Sequence, residues 1–155
     1  MQLITLPAAI TLTEWSERTF WRKFADGSLA RETVNGKAMI SFELIKPHLC
    51  LALSPDDLAI LASAVAGDAE AQNEMALIFL ANEKPKNAIY WLEQAAKQGC
   101  ADAMSLLSQC YMKGSGVPQD ENTGMIWLAK AATQGHLISQ CQMQGLRNRN
   151  GANHL

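Results

Sequence analysis

Apolar residues between positions 64 and 146 recur at helical spacing. Ala88, Trp91, Leu92, Ala95 and Ala96 follow one another at steps of three, one, three and one, which lays one apolar stripe along a helix. Gly99 closes that stripe, because a residue without Cβ readily takes the left-handed conformation that ends a helix. Leu106, Leu107, Cys110 and Tyr111 draw a similar stripe on the next helix, where the small Ala103 and Ser108 leave room for a neighbouring backbone. The predicted unit is a helix, a turn and a helix. Such a hairpin cannot bury its apolar face alone and needs stacked neighbours.

The unit repeats. Trp91 and Trp127, Leu92 and Leu128, Ala95 and Ala131, Ala96 and Ala132, Gln98 and Gln134, and Gly99 and Gly135 are each 36 residues apart. Gly67 lies 32 residues before Gly99, so one unit is four residues shorter. After Gly135, "HLISQCQMQGL" begins a third unit and stops, which predicts a capping helix, and the polar tail from 147 to 155 is expected to be flexible.

The blocks "WLEQAAKQG" and "WLAKAATQG", the small-residue helix starts after Gly67 and Gly99, and the loop "KGSGVPQD" (113–120) resemble the Sel1-like repeat family, relatives of the tetratricopeptide repeat. The resemblance covers residues 64–140. It implies an α-solenoid in which Trp91 and Trp127 lock adjacent hairpins. It also implies that ligands touch the outward positions of the first helix of each unit, which here are Glu70, Asn73, Leu77, Asp102, Ser105, Gln109 and Lys113. Ala71, Met75, Phe79, Ala103, Leu107 and Tyr111 then point inward. The groove so formed is mixed and mildly acidic, which suits a polypeptide of basic or polar character. Two departures leave the hairpins intact: the first unit has "ANEKPKN" (81–87) in place of the glycine loop, and Gly124 stands where the first unit has Ala88. Secreted relatives pair cysteines seven residues apart, whereas Cys100 and Cys110 are ten apart.

Upstream the pattern changes. In "WSERTFWRKFADGS" (15–28) Ser16 is a predicted N-cap, Phe20 and Phe24 share a face opposite Arg18, Arg22 and Lys23, and Asp26 and Gly27 end the helix. "LARETVNGKAMISF" places two short extended segments around Asn35-Gly36, a strong two-residue hairpin signal, and a short helix over 42–49 follows. This order resembles the small winged helix-turn-helix of the excisionase and MerR-like group. The resemblance implies that Thr19, Arg22 and Lys23 face DNA, with Arg31 and Lys37 near the phosphates. The sequence departs from that group by confining the helix before the turn to 13–15, about one turn too short, a departure under which the fold survives and DNA binding is lost. Ser54, Pro55, Asp56 and Asp57 then start a junction helix whose Leu58, Leu61 and Ala62 face the first repeat.

The expected fold is therefore mostly α: a winged-helix-like α+β module over 1–53, a repeat array over 54–146 and a tail over 147–155. Composition narrows the function. Of 155 residues 48% are apolar and 18% charged, which argues against disorder, and a net charge of −2 with a pI near 5.9 predicts no bulk attraction to nucleic acid. Residues 1–50 carry a net +1 and the remainder a net −3.

The apolar stretch from 3 to 12 has no preceding Lys or Arg and is interrupted by Pro7, so it is a poor secretory signal. No run reaches the roughly 18 apolar residues of a membrane span. The expectation is a cytoplasmic protein without membrane contact, whose Cys50, Cys100, Cys110 and Cys141 are reduced and mostly buried; the even count keeps disulfides formally open. His48, His136 and His154 have no acid or thiol at catalytic or metal-ligand spacing, so neither catalysis, metal nor cofactor is expected. Trp15 and Trp21, beside basic residues, are read first as core residues and second as rings that stack on bases or on a partner, and "KGSGVPQD", which follows a helix and lacks a Lys-Ser end, is read as a structural turn. Two function classes stay open: an adaptor holding a polypeptide partner in a bacterial regulatory or assembly pathway, with a homodimer contact as an option, and second a DNA-binding regulator.

Overall fold

The computed structural model describes residues 2–152. Pro7, which interrupts the apolar stretch in sequence, opens a helix instead. Thr5 caps α1 (Leu6–Thr13) by accepting from the backbone N–H of Ala8, and Pro7 sits in the first turn, where its missing N–H costs nothing. The expectation of a helix confined to 13–15 is thus corrected: α1 has eight residues and ends at Glu14, in left-handed conformation at φ 58°. Thr13 turns the chain by accepting from the Trp15 N–H.

Ser16 then caps α2 (Glu17–Ala25). The hairpin strands β2 (Glu32–Val34) and β3 (Lys37–Ser41) follow, with Asn35 and Gly36 both at positive φ as a primed turn requires. A strand missed by the sequence reading, β1 (Leu3–Thr5), pairs antiparallel with β3 and makes a three-stranded sheet in the order β1-β3-β2. Three residues are too few for periodicity to reveal. The short helix expected next is α3 (Phe42–Ile45), continued by a single 3₁₀ turn to His48.

A complete capping box at Ser54 and Asp57 starts α4 (Pro55–Val65). The array consists of α5 (Ala69–Ala81), α6 (Pro85–Lys97), α7 (Ala101–Lys113), α8 (Glu121–Thr133) and α9 (Leu137–Ala152). Helix α9 runs past position 147, where the sequence pattern begins the tail. Gly67, Gly99 and Gly135 take positive φ just before the next helix starts, as the repeat register demands.

The glycine loop earns its residues by contact. A Cβ on Gly116, at φ 76°, would lie 2.6 Å from the carbonyl carbon of Pro85, so the loop rests on the start of α6. Gly124 marks close packing: a Cβ there would meet Met112 at 2.9 Å, and Ser108 Oγ donates to the Gly124 carbonyl at 2.8 Å.

One core runs through both parts, from Ile4, Leu12, Phe20 and Ile40 in the module to Phe79, Trp91, Leu92 and Leu107 in the array. The joint is polar at its centre. Trp91 Nε1 donates to Thr11 Oγ1 at 3.0 Å, Asn87 Nδ2 donates to the Thr11 carbonyl at 2.7 Å, and Lys84 pairs with Glu14.

Candidate functional site

The seven outward positions of α5 and α7 do not form one uniform face. Glu70, Leu77, Asp102, Gln109 and Lys113 are exposed, whereas Asn73 and Ser105 are only 9% and 6% exposed. Two depressions divide six of them. Glu70, Asn73 and Asp102 line a hollow of about 530 Å³ between the first turns of α5 and α7, together with Glu74 and Gln98. Ser105, Gln109 and Lys113 line a groove of about 610 Å³ between α7 and α9, floored by Met112, Met125 and Leu128 and edged by Arg149. Leu77, on the exposed side of α5, lines neither of these two.

His136 has an acid neighbour that spacing in the sequence does not reveal. The repeat fold brings its Nε2 to 3.5 Å from Asp102 Oδ1, while Nδ1 accepts the Ser139 N–H at 3.1 Å and lies 2.8 Å from Ser139 Oγ. This order of Asp, His and Ser is not a nucleophilic relay. Ser139 is fully buried, and the Nδ1 lone pair is committed to a backbone N–H at the start of α9, so the ring caps the helix.

The N-terminal candidates are dispersed. Arg22 and Lys37 are exposed. Thr19 is half-buried and its hydroxyl pairs with Ser16 Oγ at 2.9 Å, inside the α2 cap. Lys23 places its ammonium 4.7 Å above the Trp15 ring, and the Arg31 guanidinium stacks 4.9 Å from Trp21. Trp21 is 42% exposed, so its reading as a core residue is corrected: the helix turns it to the surface, where Nε1 donates to Glu17.

The thiols differ in setting. All four cysteines are free; Cys110 is buried, Cys50 and Cys100 half-buried, and Cys141 exposed, so the expectation of mostly buried thiols is corrected: one of the four is fully buried. Burial, and then the nearby Glu14 carboxylate, push the Cys50 thiol up to about 11, and burial raises Cys110 as well. Both thiols therefore stay protonated at neutral pH and are poor nucleophiles. Among the described residues no group of three or more His, Cys, Asp and Glu is arranged to hold a metal ion, and no helix is long and apolar enough to cross a membrane. His154 lies outside the described residues.

The repeat geometry has relatives. The family model of the Sel1 repeat matches residues 69–100 and 101–136, which are α5 with α6 and α7 with α8. A Sel1 repeat protein from Oxalobacter formigenes superposes on 57% of the chain with a TM-score of 0.52 and 31% identity. A protective antigen present in uropathogenic Escherichia coli strains, displaying an SLR fold, superposes on 59% with a TM-score of 0.53 and 33% identity. The chain spans 27% and 21% of these two proteins' lengths. Comparison with curated proteins gives no match. Residues 69–136 thus match the Sel1 repeat, and the helical hairpins they form are similar to those of solved Sel1 repeat proteins.

Proposed function

We propose that the chain is a non-enzymatic adaptor whose paired Sel1 repeats hold an extended polypeptide along α5 and α7. The observation that supports this reading is the outward face itself. Glu70, Leu77, Asp102, Gln109 and Lys113 are exposed at the ligand-facing register of the repeats, beside a groove with an apolar floor of Met112, Met125 and Leu128. Methionine floors adapt to different side chains, which suits recognition of a segment and not of one rigid surface. Four free cysteines fit a reducing compartment, which supports a cytoplasmic location for the proposed adaptor; the proposed setting is a bacterial regulatory or assembly pathway. Selection of binding peptides from a displayed random library on the purified chain tests this. Enriched peptides should lose affinity on Q109A and on D102A; enrichment indifferent to both changes would remove the groove from the reading.

A second reading, DNA binding by residues 1–53, has its own observation. Helix α1, the three-residue turn at 14–16 and α2 are followed by a hairpin, and Arg18, Arg22 and Lys37 are exposed on α2 and β3. Phosphate-driven binding is strongest at low salt. A duplex shifted at low salt by the wild type and not by R22A would favour this reading; no shift at any salt would end it.

A further inference from the structure

The hollow between α5 and α7 carries more charge than its helices use. Glu70 and Asp102 occupy first helical turns, where a carboxylate offsets the partial positive charge of the N-terminus. Two such termini supply about +0.5 each, and Asp102 Oδ1 also meets His136 Nε2 at 3.5 Å, against three carboxylates from Glu70, Glu74 and Asp102, so the hollow remains net acidic. Glu70 and Glu74 are also like charges one turn apart, an arrangement that disfavours an isolated helix. Among the described residues neither has a salt-bridge partner.

A second feature is independent of the charges. Asn73 lies in the wall of the same hollow, and its Oδ1 is buried with no hydrogen-bond partner. Buried polar atoms are nearly always paired, and an unpaired carbonyl oxygen awaits a donor. The neighbouring carboxamide of Gln98 has one Nε2 hydrogen tied to Gln72 Oε1 at 2.9 Å, which leaves its carbonyl oxygen and one N–H for a ligand. The hollow is therefore richer in acceptors than in donors: three carboxylates, one of them shared with His136, and two amide oxygens. With no metal-type cluster here, the fitting occupant is an organic cation rich in N–H donors.

We propose that this hollow is an arginine pocket for the bound polypeptide, with the guanidinium donating to Asn73 Oδ1 and to the carboxylates of Glu70, Glu74 and Asp102. Arginine fits better than lysine because five N–H groups in a planar fork can reach several separated acceptors at once. This inference rests on the adaptor reading and adds a register. Asp102 and Gln109 are seven residues apart on α7, about 10 Å at 1.5 Å per residue. An extended segment covers that distance in about three residues. An arginine in the hollow thus places an apolar side chain, three positions along, over the Met112 and Leu128 groove.

The test uses the full-length, isotope-labelled chain and three blocked peptides, ARAALA, AKAALA and AEAALA, followed by NMR. ARAALA should shift the Asn73 side-chain amide and the Glu70 and Asp102 signals, AKAALA should bind more weakly, and AEAALA should leave the hollow unmoved. N73L should weaken ARAALA by about 10–100-fold and yet raise the melting temperature, because it removes an unpaired buried oxygen. N73D should bind ARAALA more tightly than the wild type. Equal responses to ARAALA and AEAALA, or unchanged affinity in N73L, overturn the arginine pocket. Peptides that shift only Gln109, Lys113 and Leu146 overturn the pocket while leaving the adaptor reading standing, and peptides that shift nothing bring down both.

Discussion

Trp91 Nε1 donates to Thr11 Oγ1 at 3.0 Å, joining the first repeat to the N-terminal module across 80 residues of chain. The same hydroxyl donates to the Ala8 carbonyl at 2.7 Å, so neither partner is left over. A buried indole N–H without an acceptor costs about 1–3 kcal/mol. T11V should therefore destabilise the whole chain by that amount, and urea unfolding followed at the sheet and at the helices should remain one transition. Separate transitions for the two parts would show that the joint does not couple them.

The glycines Gly116 and Gly124 should respond differently to alanine. At Gly116 the new methyl group meets backbone, the Pro85 carbonyl carbon at 2.6 Å, in a left-handed conformation. Backbone cannot step aside, so G116A should cost about 2–4 kcal/mol. At Gly124 the neighbour is the flexible Met112 side chain, and alanine is the better helix former by about 0.5–1 kcal/mol. G124A should stay within about 1 kcal/mol of the wild type. Chemical denaturation of both variants decides; equal effects would contradict the loop contact.

How much of this was readable beforehand differs by residue. The offset between Trp91 and Trp127 exposed the repeats because stacking reuses the same apolar register in each unit. Pro7 misled, since proline ends a helix from inside but starts one in the first turn, and only the Thr5 cap distinguishes the two cases. Asn73 and Ser105 follow the outward spacing of α5 and α7 yet are buried; spacing along one helix does not report what a neighbour covers. For the same reason the meeting of Asp102 with His136, 34 positions apart, was not legible.

Acid should weaken one part of the joint. The Lys84 ammonium, hydrogen-bonded to Glu14, holds that carboxyl below its ordinary value of 4.5. A depressed folded-state value means stabilisation that is complete above the unfolded value and fades as pH falls through the folded one. Both groups are partly open to solvent, so the contribution is small and screened by salt. E14Q should be slightly less stable than the wild type near neutral pH and indistinguishable from it at strongly acidic pH. A gap that widens on acidification would contradict the pairing.

Thiol labelling should follow burial. Cys141 is exposed on α9, whereas Cys110 is buried and the Cys50 thiol is pushed up to about 11 by burial and Glu14. Iodoacetamide at neutral pH should modify Cys141 first and Cys50 and Cys110 only after unfolding, as mass spectrometry of timed digests would show. Reductant should leave the melting temperature unchanged, because the four cysteines are free. Rapid labelling of Cys50 in the folded chain would mean that the joint opens.

The paired tryptophans should be unequal in energy although they are equal in register. Trp91 is 2% exposed because α1 covers it on one side and the second repeat on the other. Trp127 is half-buried, with the Lys130 ammonium 4.6 Å above its ring, because among the described residues α9 alone stands beyond it, and its Leu137 and Ile138 are themselves 74% and 65% exposed. Truncating a fully buried tryptophan costs about 3–5 kcal/mol, and a half-covered ring loses correspondingly less transfer energy and leaves a gap that solvent can fill. W91A should therefore cost at least about 1.5 kcal/mol more than W127A, measured by urea denaturation of both variants under one condition. The neighbouring alanines sharpen the comparison. Ala96 is buried and Ala132 half-buried at the matching position, so A96L should destabilise by about 1–3 kcal/mol through overpacking while A132L is tolerated. Equal losses at both registers would mean that the second repeat is covered by something in solution, and the face bearing Ile126, Leu137 and Ile138 is where that cover would lie.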